Sequence, residues 1–459
     1  MRPIRSLLAI PVALAAVNLN AQSLMLEEVV VTATKRAEGM QDVPIALSVM
    51  TGDKITDQGI GSLEDMAVFL PNVHIAEGGA GDQLFIRGIG SGINYSFEQS
   101  VGTFIDGVYF GRGQASRSSF LDVARVEVLK GPQGVLYGRN TAAGVVNFIS
   151  KKPSQEFGVS AEFTIGRYDR FRSLTHVDTG RLGGLSARFT YLTDEQDGWV
   201  ENQGENAFSE RDNEAYRVAI NYELTDSFML DFSYDASQSQ ATNVFSQYGE
   251  RLTANPVSVI NPEQDLTSDA FNLTAVLGLG DNLSLTSISS YREVDDDSFG
   301  LDHEQLSQEF RLNGQLLDGG INFVAGLSYY DDESTLRQVV TVPVAGVGDT
   351  VEDLNSGNYQ IKSFAAFAQM TFALSEKLEL TAGWRETSDE NEMVRTSLDL
   401  NGNGSVFNDA DVNTFFDDGE EDMGERVDRF VNYDDDQTEF NITFAFMPNE
   451  KIRSHIGFS

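Results

Sequence analysis

FGVSAEFTI, Phe157 to Ile165, puts Phe157, Val159, Ala161, Phe163 and Ile165 on odd positions and Gly158, Ser160, Glu162 and Thr164 on even ones. Strict alternation means a β-strand with one apolar and one polar face. The pattern returns in Tyr216, Val218, Ile220 and Tyr222, in Phe228, Leu230, Phe232 and Tyr234, and in Phe271, Leu273, Ala275 and Leu277. It recurs in Leu378, Leu380, Ala382 and Trp384, and in Phe440, Ile442, Phe444 and Phe446.

A soluble sandwich alternates in the same way, so the connections decide. Short turns (Leu224 to Ser227, Leu279 to Asn282, Leu374 to Lys377, Met447 to Glu450) alternate with long polar loops. The loops are expected near Glu195 to Arg211, Ala236 to Ser268, Asp332 to Tyr359 and Ser388 to Asp436. Unequal connections of this kind mark an outer-membrane barrel. Tyr191, Tyr234, Tyr291, Tyr329 and Trp384 near strand ends suit interfacial aromatic girdles. Roughly 13 strands are expected between Gln155 and Ser459. Single-chain bacterial barrels normally hold an even number, so the chain is expected to be C-terminally truncated, with residues 154–459 an incomplete barrel.

Upstream of residue 154 the character differs. From about Met40 to Pro153, short apolar runs are separated by glycines. Leu63, Met66, Ala67 and Leu70 have helical spacing closed by Pro71. LFIRGIG, VGTFIDGVYF and VARVEVLKGP look like short strands. Residues 40–153 are therefore expected to form a small α/β domain. Ahead of it, EEVVVTATKR (27–36) carries the β-branched run Val29 to Thr32, a strand that either begins the sheet or adds to a partner's sheet edge. At the extreme N-terminus, Arg2 and Arg5, the apolar run Leu7 to Val17 and Ala21 have the layout of a signal peptide over 1–21. No run of about 18 apolar residues follows, so no transmembrane helix is expected.

Composition narrows the function. A net charge of −38 disfavours nucleic-acid binding, which needs a basic surface. Without cysteine there is no disulfide, thiolate metal site or cysteine nucleophile, and the four histidines lie far apart. No catalytic constellation is evident, so no enzyme and no cofactor are expected. In the acidic stretch Ser388 to Asp436, Asp399, Asn401, Asn403 and Gly404 fit the first half of a calcium loop. The twelfth position is Ala410, with Asp411 one residue late, so the alternatives are a calcium clip and a solvated loop.

The segment VARVEVLKGPQGVLYGRNTAAGVVNFISKKP, Val123 to Pro153, resembles the end of the plug in the TonB-dependent receptors. So do LFIRGIG at Leu84 to Gly90 and VGTFIDGVYFGR at Val101 to Arg112, while EEVVVTATKR resembles that family's energy-coupling box and QLSQEFRL (305–312) one of its barrel strands. Ala143-Gly144 stands where the family often has two glycines. The resemblance implies a transmembrane antiparallel β-barrel of about 22 strands around an N-terminal α/β plug, in the outer membrane of a Gram-negative bacterium. It implies energy-coupled import of a scarce ligand, with a ferric siderophore first and cobalamin, haem or oligosaccharide as alternatives; a passive porin or a surface-recognition protein ranks below these. The implied partners are TonB with its inner-membrane motor proteins, a small-molecule ligand such as a ferric chelate, and outer-membrane lipid.

Residue by residue, the resemblance assigns TonB contact to Glu28, Val29, Val30, Val31, Thr32 and Ala33, and plug structure or gating to Arg87, Gly88, Gly131, Pro132, Gly134, Gly138, Arg139 and Gly144. Gly131-Pro132 breaks a strand, and Gly134 and Gly138 allow backbone turns where side chains would meet a barrel wall. Arg87 and Arg139 either seek carboxylates at a plug–barrel interface, with Glu309 one possible partner, or cap solvated turns.

Overall fold

The computed structural model describes residues 29–76, 83–91, 99–111, 121–199, 201–202, 210–242, 253–254, 263–297, 300–343, 350–399, 427–449 and 452–458. The expected signal peptide and Glu28 lie outside them. So does the calcium candidate, except that Asp399 closes the strand Leu378–Asp399.

Thirteen strands between Phe157 and Phe458 form one sheet, each hydrogen-bonded to its sequence neighbours in antiparallel register. The first and last, Phe157–Ile165 and Ile452–Phe458, pair on one side only among the described residues. Burial along the strands is the reverse of a soluble sheet. In Arg211–Thr225 the inward positions are Arg217, Ala219 and Asn221, all buried, while Tyr216 and Tyr222 face outward and are exposed. Phe163 (64% exposed), Ile165 (84%) and Phe440 (63%) are likewise outward. An apolar exterior around a polar interior is stable only where the outer solvent is hydrocarbon.

The apolar belt stops at a row of outward tyrosines whose hydroxyls donate to carboxylates. Tyr191 bonds Glu214 at 2.7 Å, Tyr234 bonds Asp269 at 2.5 Å, Tyr291 bonds Glu293 at 2.5 Å and Tyr329 bonds Asp331 at 3.0 Å. Beyond this row the strands continue. Ile321–Pro343 and Thr350–Ser375 stay paired up to Pro343↔Thr350, and Leu378–Asp399 pairs with Val427–Asn449 as far as Ser397↔Val427. Much of what reads in the sequence as loop, Asp332 to Tyr359 above all, is therefore strand. A crossing needs only about 9–11 residues, and past the bilayer both faces meet water, so alternation vanishes while the ladder persists.

Inside this wall lies a five-stranded sheet in the spatial order Ala46–Thr51, Val123–Lys130, Gly144–Ser150, Val101–Ile105, Val108–Phe110. Gly144–Ser150 pairs in parallel with Val101–Ile105, and the other neighbours are antiparallel. A smaller sheet joins Val73–Ala76, Gln83–Ile86 and Ile89–Gly90. Two short helices cover one face: Gly52–Asp57, capped by Thr51, and Leu63–Ala67, capped by Ser62. Met66, Leu70, Ile86, Val126, Val128 and Phe148 make the core between them. Both hairpin tips, Arg87-Gly88 and Asp106-Gly107, have two successive positive φ angles, the conformation that matches strand twist in a two-residue turn.

Candidate functional site

The site is the seam between the inner domain and the wall, where the N-terminal segment is parked. Val30–Val31 pairs antiparallel with Glu38–Gly39. Val31 and Ala33 are fully buried among Leu129, Val135, Leu136 and Tyr137 of the inner domain and Val324 and Phe367 of the wall. The Thr32 amide donates to Glu127 Oε1 at 2.9 Å, and its hydroxyl donates to the same oxygen at 3.2 Å. Glu127 is itself inaccessible to solvent and also accepts from Arg125 Nε at 2.7 Å. These bonds are what permit a carboxylate there, since a buried charge without donors is prohibitively costly.

The next turn reaches the wall. Lys35 adopts a left-handed φ of 58° and sends its ammonium to Glu309 Oε2 at 2.5 Å, above the Phe367 ring at 4.8 Å. Asn313 Nδ2 donates to the Lys35 carbonyl at 3.4 Å, and Arg311 lies 3.5 Å from Glu309. Burial brings the Lys35 ammonium down to about 8, against the opposing pull of Glu309. A released segment would expose Lys35 at its ordinary, higher value. Docking therefore sheds a proton only between about pH 8 and 10.5. Below pH 8 both states hold the proton and docking is indifferent to pH. Above it, docking should strengthen by up to about tenfold per pH unit. A spin label at Val29 should report a released fraction that is flat from pH 6 to 8 and falls at higher pH; a rise would contradict this.

The glycine-rich stretch 131–144 presses on the same wall. The short helix Gly134–Tyr137 packs on three strands, Thr350–Ser375, Leu378–Asp399 and Val427–Asn449. A Cβ on Gly134 would stand 2.1–2.3 Å from the Glu439 carboxylate, and one on Gly138 (φ +78°) 2.6 Å from Arg385 Nη2. At Gly144 it would stand 2.3 Å from the Leu129 carbonyl. A carboxylate tip can swing aside, whereas a sheet carbonyl cannot. Gly144→Ala should therefore destabilise the inner domain by about 2–4 kcal/mol and Gly134→Ala by under about 1. Urea midpoints for loss of protease protection would rank them, and equal midpoints would refute the argument. Gly131 (φ +102°) and Pro132 form the turn after Val123–Lys130, and Gly88 (φ +81°) has open space around it.

The structure separates the two arginines read together in the sequence. Arg139 reaches the wall at Asp389, 3.4 Å away. Arg87 is exposed in a hairpin turn. Glu309 serves neither, because Lys35 occupies it.

Further ion pairs fasten the inner domain. Asp122 binds Arg188 Nε and Nη2 at 2.5 and 2.8 Å and accepts from Thr190. Burial alone would raise its pKa, but Arg188 and then His176 and Thr190 hold it below the usual carboxylate range. Asp106 meets Arg217 at 3.0 Å. One buried ion pair of the plug was readable: Arg125 and Glu127 sit two apart in VARVEVLK, so opposite charges share one strand face between Val123 and Leu129.

Residues 40–145 match the family described as TonB-dependent Receptor Plug Domain. The chain carries the plug domain of the TonB-dependent receptors. The receptor is 24% identical over 318 residues to the ferric-pyoverdine 358 receptor of Pseudomonas putida, a match covering 64% of this chain and 36% of that one. It is 22% identical over 393 residues to the iron-regulated outer membrane virulence protein of Vibrio cholerae, covering 80% and 55%. The chain thus spans between about a third and about half the length of these curated relatives. Among solved structures it is similar to the ferric yersiniabactin uptake receptor FyuA from Yersinia pestis, with a TM-score of 0.75, 17% identity and coverage of 90% and 64%. The plug, the apolar exterior and the outer-membrane relatives place this receptor in the outer membrane of a Gram-negative bacterium. Its family comprises receptors and transporters rather than enzymes.

Proposed function

We propose that this receptor imports a ferric siderophore across the outer membrane, drawing energy from the inner membrane through TonB and its motor proteins. The observation that carries the reading is the parked segment. A two-residue ladder, one carboxylate and one ion pair hold Val29 to Lys35 against both plug and wall. Such an anchorage is strong enough to persist at rest and small enough to be released. Ligand binding outside loosens it, Val29 to Ala33 adds as a strand to TonB, and traction on the segment is delivered to the plug sheet through Thr32 and Glu127. Glu28 precedes this strand and belongs to the same coupling element.

The ligand class follows the relatives named for ferric pyoverdine and ferric yersiniabactin. A strain whose only outer-membrane iron receptor is the full-length protein should grow on some ferric siderophores under iron limitation, and a deletion strain on none of those. Growth on haem but on no ferric chelate would sink the siderophore reading.

A further inference from the structure

The plug hairpin Val101–Ile105/Val108–Phe110 masks two arginines of the wall in two different ways. At its tip, Asp106 Oδ2 takes Arg217 Nη2 at 3.0 Å, while Asp235 of the wall takes Nη1 at 2.8 Å. At its end, Phe110 lies flat under Arg292, with the guanidinium carbon 3.2 Å from the ring centroid. Phe110 is 1% exposed and packs with Leu266 and Val294.

Arg292 is 4% exposed, yet among the described residues it forms no ion pair. Its Nε is buried without an acceptor, as is Nε of Arg217. A guanidinium taken out of water and given only an aromatic face is poorly compensated. Asp235 lies within electrostatic reach of Asp106, Arg217 and Arg292, and the two arginines lie within reach of each other. With the hairpin seated, two carboxylates balance two guanidiniums. With the hairpin withdrawn, Asp106 leaves and Asp235 alone faces both arginines. Arg217 also borders a cavity of about 360 Å³ between plug and wall, which Asn147, Ser233, Asn272 and Arg311 help to line. Asn147 Oδ1 is buried there without a donor.

We infer that Arg217 and Arg292 form a latent anion site on the barrel wall, uncovered when the plug hairpin withdraws and shaped to receive an oxyanion-bearing ligand, such as a carboxylate or catecholate chelate, on its way inward. This rests on the import reading, since it takes the gap between plug and wall as the route. Masking keeps the site from holding ambient anions at rest. The surplus positive charge exists only while the route is open.

These 459 residues hold no cysteine, so a test that needs neither ligand nor TonB is open once any cysteine elsewhere in the full-length receptor is replaced by serine. Ser290, 4% exposed, hydrogen-bonds Asn272 at 2.7 Å beside this cluster, so Ser290→Cys gives a single small thiol. Full-length receptor in outer membranes is treated with 2-sulfonatoethyl or 2-(trimethylammonio)ethyl methanethiosulfonate, each rate being normalised to that with free mercaptoethanol. With the native hairpin both should react slowly. With Asp106→Asn and Phe110→Ala, both should speed up, and the anionic reagent should lead by about tenfold. Adding Arg217→Gln and Arg292→Gln should erase that lead. Asp106→Asn alone keeps a residue tolerant of the tip's positive φ and should already shift preference toward the anion. No anion preference in the opened hairpin, or a preference that survives loss of both arginines, would overturn the inference. Failure of iron uptake would leave this result untouched.

Discussion

Glu309→Gln should release the segment Val29 to Lys35, the proposed coupling element, without ligand. The substitution leaves Lys35 buried beside Phe367 with no carboxylate, and Arg311 remains nearby as a like charge. Removing one partner of a buried pair typically costs about 3–5 kcal/mol, enough to shift docking by more than a hundredfold. Val31→Cys, fully buried in the parent, is the reporter. Its thiol should label slowly in the parent and quickly beside Glu309→Gln. Lys35→Met combined with Glu309→Gln removes both charges and should restore most of the protection. Equal labelling of parent and Glu309→Gln would show that the ion pair does not hold the segment.

Val30→Pro should leave ligand binding at the cell surface intact and reduce uptake to near that of cells without receptor. Val30 pairs with Gly39 at rest and is half exposed, so its strand edge is available to a second partner. Proline removes an amide donor and fixes φ away from the fully extended strand, at a cost of about 1 kcal/mol per lost ladder bond plus the clash, on the order of a hundredfold overall. Val30→Ile, which keeps β-branching and the amide, should transport normally. Normal uptake by Val30→Pro would remove the coupling role from this segment.

These two variants probe opposite sides of one device. The first weakens the hold on the segment, and the second blunts the strand addition proposed for it. Their combination should label freely at rest and still fail to transport.

The wall was legible in the sequence because hydrocarbon demands apolar residues at every second position, as Phe157 to Ile165 displays. It ceased to be legible where that demand ends. Past Tyr329 the strand carries Asp332, Glu333 and Ser334, whose polarity reads as loop although their ladder is unbroken. Hairpin tips were visible in the plug because Arg87-Gly88 and Asp106-Gly107 need left-handed backbone. The seam was not visible. Lys35 and Glu309 are 274 residues apart, and no local pattern tells a lysine that it will be buried. Arg139 and Arg87 carry the same chemistry in similar glycine-rich turns, yet among the described residues only Arg139 is paired with the wall. Glu127 could have been flagged as a carboxylate inside a valine strand, but its role in holding Thr32 depends on a segment 95 residues away.

The central claim is that a plug-closed barrel moves ferric siderophore only when pulled from within. Accumulation of ⁵⁵Fe, supplied as ferric siderophores that support growth through the full-length receptor, tests it directly when measured before and after collapse of the inner-membrane proton gradient. The expected result is time-dependent accumulation that stops on collapse while surface-bound ⁵⁵Fe stays constant. Accumulation that continues unchanged without the gradient would contradict the account.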